Sequence, residues 1–435
     1  MSGSNLLLAI RATIRADSDP ARQALFVNLT QSSLPARLAT GLHAALGTSW
    51  LSTLLVSVYG ARAYLVATCD DVPTPTLLTV AVHRNARHQV NRVVEWFRGE
   101  PVARARFDTR EILSLAALSR LWSMMRAPRD VLRTLRVIHR INSHHSFLVA
   151  CRSASTVASY ARGRALLTHV TPRAVVVSSD TNPEEIAFVA AARGLGIPTV
   201  YIAHAYPSPF SPPLRFSLSI LEGDAAVDSR REKGRIDSEV VLLGVEGDSG
   251  PLDPHRFATR SPVVGLCLPK VVSWSTLADI VRDCRQVFGA REVLVRWHPS
   301  MLESAGSSEA IGATPGVTTT SGDEPLRDIA VRCDWIVADA NSNVHLQVLK
   351  LGTPTVAVEG FGVTAEGRSD VYGFCANRIL FPPVTSLRDV SVPDLIAFYE
   401  GDWPARFTRY DAAYLQDATA MASRARQAIV RLVAR

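Results

Sequence analysis

The sequence predicts an α/β fold with two parallel-sheet domains. From about residue 152 onward, short apolar runs alternate with helical patterns, and this alternation is typical of a parallel sheet joined by right-handed crossovers. The 435 residues are enough for two large domains. Hydrophobic residues make up 47% and charged residues 20% of the chain, which is an ordinary balance for a globular protein.

The first predicted domain, residues 1–245, begins with short mixed elements. Runs of β-branched and apolar residues predict strands at 24–29, 63–68 and 77–82. Apolar residues that recur on one face of 89–98 predict a helix. Nothing in the first hundred residues singles out a catalytic group, so we expect the chemistry to lie further along the chain.

The stretch 38–61 is long enough to span a bilayer, and its only possible charge is on His43. Its many Ser, Thr and Gly residues favour a buried helix-turn-helix or strand pair instead. The apolar run near the N-terminus is too short for a secretory signal, and none of the six cysteines forms a CxxC pair. We therefore expect a cytoplasmic protein, with peripheral contact to the inner membrane left open.

A helical insertion is predicted at about 108–150. Two helical patterns, separated at Pro128, carry seven arginines against three acids, Asp108, Glu111 and Asp130. A basic amphipathic pair of helices could lie on an anionic membrane. We favour solvated arginines, because charged helix faces usually contact water.

Two predicted strands of the first domain end in residues suited to acid–base chemistry. The strand at 173–177 leads to Asp180, and the strand at 199–203 leads to His204. Asn182 is the predicted cap of the helix between them. Ligands of parallel α/β sheets bind at the carboxyl ends of strands, and a histidine there can take a proton near neutral pH. His204 is the first catalytic candidate and Asp180 the second; the alternatives are a histidine that holds its loop and an aspartate that begins a turn.

Residues 246–261 are rich in Gly, Pro and Asp and are predicted to be the linker to a second domain at 262–390. A last strand of that domain is expected at 377–380. Helices over 391–435, including a closing helix at 410–434, are expected to pack back toward the first domain.

The second domain carries the signals for an anion site. One predicted strand ends in Arg296-Trp297-His298-Pro299, where Arg296 and His298 share a face. A later strand is followed by 339–343, which supplies cap residues for a helix whose first N–H groups would bind an anion. For His298 the alternative is a structural role before the proline, and for Ser342 and Asn343 it is capping of the helix alone. For Lys270 it is an ordinary surface lysine. The candidates for binding a nucleotide phosphate or its ribose are Arg296, His298, Ser342, Asn343, Lys270 and Glu359.

The order of these motifs resembles the donor domain of two-domain, GT-B type bacterial glycosyltransferases. The matching elements are the Arg-x-His-Pro strand end at 296–299, the Asn-Ser-Asn helix start at 341–343 and the Gly-x-Pro strand entry at 352–354. Bacterial sialyltransferases, Kdo transferases and CDP-glycerol polymerases share a His-Pro motif and a Ser-rich helix start. The resemblance covers roughly 170–385 and implies two Rossmann-like domains that face each other across a cleft.

His204 adds to the resemblance, since it matches a strand-end Gln-His-Gly element of capsule-type transferases. Ala203 and Ala205 stand here in place of the glutamine and the glycine. The family implies that the His-Pro and Ser motifs hold the donor phosphate.

The resemblance implies an inverting glycosyltransferase that moves a sugar from a nucleotide-sugar to a growing surface or capsular polysaccharide or a glycolipid. CMP- or CDP-linked donors are favoured, and UDP-linked donors are possible. No Asp-x-Asp at a strand end and no zinc-ligand spacing is present in the sequence, so we expect no metal and no cofactor beyond the donor. A basic strip interleaved with aromatic residues is also absent, which argues against nucleic acid as a partner.

Three other functions remain open at this point: a CDP-alcohol phosphotransferase of teichoic-acid type, an enzyme similar to UDP-sugar epimerases, and a non-catalytic binding protein. The net charge of +7 does not separate them. It is compatible with a nucleotide-sugar, an acidic glycan or an anionic membrane surface.

Overall fold

The computed structural model describes residues 3–19, 23, 34–70, 72–107, 128–269, 272, 274–299, 311, 313–361 and 370–434. The chain forms two compact units. The first contains Met1–Leu221, Asp228–Val241 and Ser423–Arg435, and the second contains Glu222–Val227 and Leu242–Ala422.

Helices and strands alternate along most of the described chain. The helices are α1 Gly3–Asp17, α2 Leu34–Leu46, α3 Trp50–Val66, α4 Arg84–Trp96, α5 Pro128–Asn142, α6 Phe147–Val170, α7 Pro183–Gly194, α8 Asp224–Arg231, α9 Trp274–Gln286, α10 Leu326–Arg332, α11 Val344–Lys350, α12 Val392–Tyr399, α13 Trp403–Thr408 and α14 Ala418–Val433. The strands are β1 Ala67–Cys69, β2 Leu77–Val80, β3 Val102–Phe107, β4 Ala174–Val177, β5 Thr199–Ile202, β6 Leu218–Leu221, β7 Glu239–Leu242, β8 Val263–Cys267, β9 Glu292–Arg296, β10 Val317–Thr320, β11 Trp335–Asp339 and β12 Thr355–Val358.

The first unit is built on a seven-stranded sheet in the order β1-β3-β2-β4-β5-β6-β7. β2 pairs in parallel with β3 and with β4, and parallel pairing continues through β5 to β6. The short β1 pairs antiparallel with β3. Every residue of β2, β4, β5 and β6 is buried, as expected for parallel strands that are covered on both faces.

A layer of helices packs beside this sheet. The cluster that joins α3, α5 and α6 consists of Val56, Ile138, Ala150, Cys151 and Ala154. Gly60 permits the close approach of α3 to α6, because a Cβ at that position would lie 2.5 Å from the Cβ of Ala154. The part of α14 from Ser423 onward belongs to the same unit, and its Arg426 donates a hydrogen bond of 2.7 Å to the carbonyl of Trp96.

The second unit is built on a five-stranded sheet in the order β10-β9-β8-β11-β12, with all four neighbouring pairs parallel. Its core lies between β8, β9, β11 and the helices α10 and α11. The buried residues there are Val263, Cys267, Leu294, Ile329, Ala330, Cys333, Ile336, Ala338 and Val348. The alternation of strands and helices that the sequence predicts from about residue 152 is therefore confirmed.

Some local predictions are wrong. Residues 63–66, predicted as the start of a strand, form the last turn of α3, and only 67–69 are extended. Residues 377–380 form turns in place of a strand, and the closing helix begins at Ala418. The predicted strand at 24–29 and the first predicted helix of the insertion, 109–125, lie outside the described residues.

The stretch 38–61 forms parts of the two helices α2 and α3. The sequence favours a buried helix-turn-helix or a strand pair, and two helices are what the structure shows. The expected burial is wrong, because Leu38, Trp50 and Val58 of this stretch are exposed. In the part of the chain that the structure describes, no helix combines the length and the apolar character needed to cross a membrane.

Candidate functional site

The first sheet has a topological switch point between β2 and β4. β2 is the first parallel strand along the chain; its neighbour β3 continues in one direction and β4 in the other. In open α/β sheets of this kind, ligands bind outside the carboxyl ends of the strands at the switch point. The expected position of a ligand site is therefore beside the residues that follow β2 and β4, which are Val82 and Ser178–Ser179.

Glu185 joins the two strand ends at this switch point. It lies in the first turn of α7 and is fully buried. One carboxylate oxygen accepts from the N–H of Val82 at 3.2 Å, and the other accepts from the N–H groups of Ser178 and Ser179 at 3.1 and 2.7 Å. Burial raises the pKa of Glu185 to about 8, and the three N–H groups, which favour the charged form, oppose that rise.

His204 reaches the same strand ends from the turn after β5. It is half-buried, and its Nδ1 lies in a short hydrogen bond with the carbonyl oxygen of Ser178. Since a carbonyl only accepts, Nδ1 is the protonated nitrogen, and the neutral ring carries its lone pair on Nε2. This is the tautomer that a general base needs in order to take a proton through Nε2.

A second histidine, His83, lies at the same switch point. It is exposed at the start of α4. Asn182 caps α7 as predicted, with its Oδ1 accepting from the N–H of Glu184 at 3.0 Å. The Nδ2 of Asn182 therefore donates to His83 Nε2, at 2.8 Å. The lone pair of His83 Nε2 thus accepts from Asn182.

Asp180 is buried and forms an ion pair with Arg230, which is only 2% exposed. The same guanidinium donates to the carbonyl of Pro212 at 3.0 Å and to the hydroxyl of Tyr201 at 3.3 Å. The carboxylate of Asp180 neutralises a buried cation that holds the Pro-rich loop beside β5. This arrangement favours a structural role for Asp180 over the catalytic role that the sequence suggests.

The second sheet has its switch point between β8 and β11, since the chain order of its strands is 3-2-1-4-5 across the sheet. The loop after β11, residues 339–343, is therefore at the position where this class of fold binds its ligand. Ser342 and Asn343, both half-buried, lie on this loop, as the sequence predicts for a strand end.

Local hydrogen bonds hold this loop in a fixed conformation. Asp339 Oδ1 accepts from the N–H of Asn341 at 2.9 Å, and Ser342 Oγ accepts from the N–H of Val344 at 3.3 Å. The Oδ1 of Asn341 accepts from the N–H of Val371 at 2.7 Å, which ties the loop to the segment after 370. Ser342 thus takes one of the first N–H groups of α11, while Asn343 makes no side-chain cap hydrogen bond to α11.

His345 supports the loop from below. It is fully buried in α11, with Nε2 3.0 Å from the carbonyl oxygen of Asp339 and Nδ1 3.0 Å from the hydroxyl of Thr355. The carbonyl accepts from Nε2, so the neutral ring accepts the Thr355 proton at Nδ1. Burial lowers the pKa of His345 to about 4.

We expect the stability of the second unit to fall as the pH decreases, because of His345. Its pKa is lower in the folded protein than in the unfolded chain, so between about pH 6.5 and pH 4 only the unfolded chain binds the proton. The unfolding free energy should therefore drop by about 2 kcal/mol between pH 7 and pH 5 from this group alone. Chemical denaturation of wild type and His345→Gln at both pH values measures it, since glutamine keeps the donor and the acceptor but does not titrate. An equal pH dependence in the two proteins would contradict the assignment.

The other predicted residues of this domain have different surroundings. The guanidinium of Arg296 donates to the carbonyls of Gly322 and Glu324 at 3.1–3.2 Å, so it fixes the loop after β10. His298 is half-buried two residues beyond the end of β9, and Glu359 follows β12, with its N–H donating to the carbonyl of Val384 at 2.9 Å. Lys270 lies outside the described residues.

The structure thus places candidate residues after the carboxyl ends of strands in both units. At the first switch point it adds Glu185 and His83, which the sequence analysis did not select. Glu185 has a signal in the sequence, because it is an acid three residues after a predicted cap, but first-turn acids are common for helix-dipole reasons alone. Among the described residues, no group of three or more His, Cys, Asp or Glu is placed to hold a metal ion.

Comparison with known proteins identifies the fold. No protein-family model matches the sequence, and no curated protein sequence is similar to it. Among solved structures, the calicheamicin glycosyltransferase CalG4 is similar, with a TM-score of 0.50 and 12% identity over 83% of this chain and 99% of that chain.

Two other solved structures are similar over much of their length. A UDP-glucosyltransferase from Polygonum tinctorium has a TM-score of 0.48 and 12% identity, over 83% of this chain and 99% of its own. The UDP-GlcNAc 2-epimerase from Neisseria meningitidis has a TM-score of 0.45 and 10% identity, over 82% of this chain and 99% of its own. With its two parallel-sheet units and its similarity to CalG4, the chain has the α/β fold of the GT-B class.

Proposed function

We propose that the protein is a glycosyltransferase that uses a nucleotide-sugar as donor. The observation that carries this proposal is His204, an imidazole oriented by the Ser178 carbonyl at the switch point of a parallel sheet. An acceptor hydroxyl beside Nε2 would lose its proton to the ring as its oxygen attacks the anomeric carbon. The bond from that carbon to the phosphate oxygen breaks in the same step, and the nucleotide leaves with the electron pair. A single displacement of this kind inverts the anomeric centre.

The nucleotide would bind at the switch point of the second sheet. Ser342 and Asn343 at the start of α11 and His298 after β9 are the candidates for holding its phosphates, and Glu359 is the candidate for the ribose. N–H and O–H donors fixed before the reaction stabilise the charge that develops on the leaving phosphate. Arg296 contributes by fixing the 322–324 loop, since its donors already bond to backbone carbonyls. The GT-B fold is compatible with this placement.

The donor class rests on the motifs. The His-Pro pair at 298–299 and the Ser-containing helix start at 341–343 favour a CMP- or CDP-linked sugar, with a UDP-linked sugar as the other possibility. The acceptor in this proposal is a growing surface or capsular polysaccharide or a glycolipid.

Thermal-shift measurements with CMP, CDP, UDP, GDP and ADP test the donor site. We expect one cytidine nucleotide to raise the melting temperature of the wild type, because a ligand at 100 times its Kd stabilises the folded state by about 2.7 kcal/mol. The shift should shrink strongly in His298→Ala. His255→Ala is the matched control, since this histidine is an exposed residue of the same unit that pairs with Glu400 on the surface. A shift with UDP alone would change the donor class, and no shift with any nucleotide would argue for a binding or scaffold protein.

Product analysis separates the remaining functions. A glycosyltransferase forms a glycosidic bond and releases the nucleotide only when an acceptor is present. A phosphotransferase of teichoic-acid type would release CMP and form a phosphodiester, and an epimerase would convert a UDP-sugar without any acceptor. A non-catalytic protein would bind the nucleotide and turn over nothing.

A further inference from the structure

An exposed apolar face lies on α3, on the side opposite its packing against α6. Trp50, Leu51, Leu54 and Val58 are 55%, 58%, 51% and 64% exposed. Their spacing of one, four and eight residues places them on a single side of the helix. The other side of α3 is buried, through residues that include Val56, Gly60 and Ala63. This helix is thus apolar on both sides, and one of the two faces solvent.

Exposed apolar residues also lie on α2, the helix that precedes α3 and packs beside it. Leu38 and Leu42, one turn apart on that helix, are 64% and 50% exposed. Single exposed apolar residues are ordinary on protein surfaces, but a contiguous apolar patch marks a binding site. We call the residues Leu38, Leu42, Trp50, Leu51, Leu54 and Val58 the α2–α3 face.

Basic residues border the α2–α3 face. The ring of Trp50 stacks on His139 of α5, with ring centroids 4.0 Å apart and planes 8° apart. Arg136 lies one turn before His139 on the same side of α5, and Arg136 is exposed. Arg133 and Arg140 are exposed on the same helix, as is Leu132 at 54%. The exposed arginines of α5 therefore lie on the helix whose His139 contacts the Trp50 end of α3.

Acidic residues are absent from residues 34–66 of the sequence, which contain all of α2 and α3. A protein partner of mixed charge would not require this one-sided composition. The lipid–water interface of an anionic bilayer favours a surface without acidic residues. Apolar and aromatic side chains enter the acyl boundary there, while arginines contact the lipid phosphates. Complementarity of charge thus favours a membrane as the occupant of this face.

We propose that the α2–α3 face, together with Arg133, Arg136 and Arg140 of α5, docks the protein on an anionic lipid bilayer. The helices lie on the membrane and do not cross it. The apolar side chains insert to the depth of the headgroups, and the arginines contact lipid phosphates. This inference is independent of the nucleotide site in the second unit.

Vesicle flotation of the full-length chain tests the proposal. We compare vesicles of phosphatidylcholine alone with vesicles that contain 30% phosphatidylglycerol. Wild type should bind the anionic vesicles and bind pure phosphatidylcholine far more weakly, and the binding should weaken as salt rises from 50 to 500 mM. Leu54→Ser/Val58→Ser should reduce binding to anionic vesicles at least tenfold. Arg133→Gln/Arg136→Gln should reduce it by roughly 25-fold, since each arginine near an anionic surface contributes about fivefold.

Matched controls use exposed residues of the second unit. Val287 and Val331 are 46% and 71% exposed, and Arg327 is 64% exposed in its side chain. The variants Val287→Ser/Val331→Ser and Arg327→Gln should bind vesicles as wild type does. Thermal unfolding of every variant establishes that the loss of binding is not a loss of folding.

Three outcomes would overturn the proposal. Equal binding by wild type and the face variants would place the contact elsewhere. A wild-type dimer that binds no vesicles and becomes monomeric in Leu54→Ser/Val58→Ser would make a second copy the occupant. Protection of 50–58 from hydrogen exchange in the lipid-free monomer, lost on deletion of 109–125, would make that segment of the chain the occupant.

Discussion

Replacing His204 by alanine is expected to lower kcat by roughly 10²- to 10⁴-fold, the usual contribution of a positioned acid–base group. The nucleotide should bind with unchanged affinity, because the proposed donor site consists of residues of the second unit. The reason for the large effect is the hydrogen bond between Nδ1 and the Ser178 carbonyl, which selects the tautomer with its lone pair on Nε2. Without that lone pair, the acceptor hydroxyl must attack with its proton in place.

Steady-state rates with a nucleotide-sugar and an acceptor measure this loss, and nucleotide thermal shifts measure binding on the same samples. His204→Asn refines the test, since asparagine keeps a donor toward Ser178 but has no basic nitrogen, and it should be as slow as the alanine variant. His169→Ala, on the exposed side of α6, should have wild-type rates. A slow His83→Ala with a normal His204→Ala would move the base to the other histidine of the switch point.

The position of His204 could be predicted from the sequence because its strand is a plain apolar run. The residues 199–202 are all buried, and a polar residue after such a run lies at the carboxyl edge of the sheet. The helix cap at Asn182 could be predicted for a similar reason, since Asn-Pro-Glu-Glu is a local signal for a helix start that needs no tertiary contact. Both predictions depend on neighbours along the chain.

Contacts between distant segments are what the sequence did not reveal. Glu185 bonds to Val82, which is more than a hundred residues away, and no local pattern identifies that partner. The same limit applies to Arg296, whose strand-end position is correct but whose guanidinium bonds to the carbonyls of the 322–324 loop. The roles of Glu185 and Arg296 depend on which segments lie next to each other in the fold, and no single segment of the sequence specifies its neighbours.

Two wrong strand predictions, at 63–66 and 377–380, have causes within their own segments. α3 is apolar on its exposed side as well as on its buried side. It therefore lacks the one-sided pattern that identifies a helix, and the sequence predicts a strand at its last turn. The segment 377–380 has a strand-like ending in Ile379-Leu380, both fully buried, but Arg378 adopts a positive φ of 56°. A left-handed residue within the run is incompatible with an extended strand.

Replacing Arg230 by methionine is expected to destabilise the first unit by about 3–5 kcal/mol, the cost of removing one partner from a buried ion pair. The variant removes the buried cation that pairs with Asp180 and the donors to Pro212 and Tyr201. Arg231→Met is the control on the next residue, since Arg231 is exposed and pairs with Asp228 on the surface. That control should cost less than about 1 kcal/mol. Urea denaturation followed by tryptophan fluorescence measures both.

The double variant Arg230→Met/Asp180→Leu decides between the two roles of Asp180. If the carboxylate serves only to neutralise Arg230, removing both charges together should recover most of the lost stability, because apolar residues of similar volume can replace a buried ion pair. The recovered protein should then turn over substrate within a few-fold of wild type. If Asp180 takes part in proton transfer, the same double variant would be folded and as slow as His204→Ala. A stable protein with wild-type turnover leaves His204 as the base, and a stable protein without turnover makes Asp180 part of the chemistry.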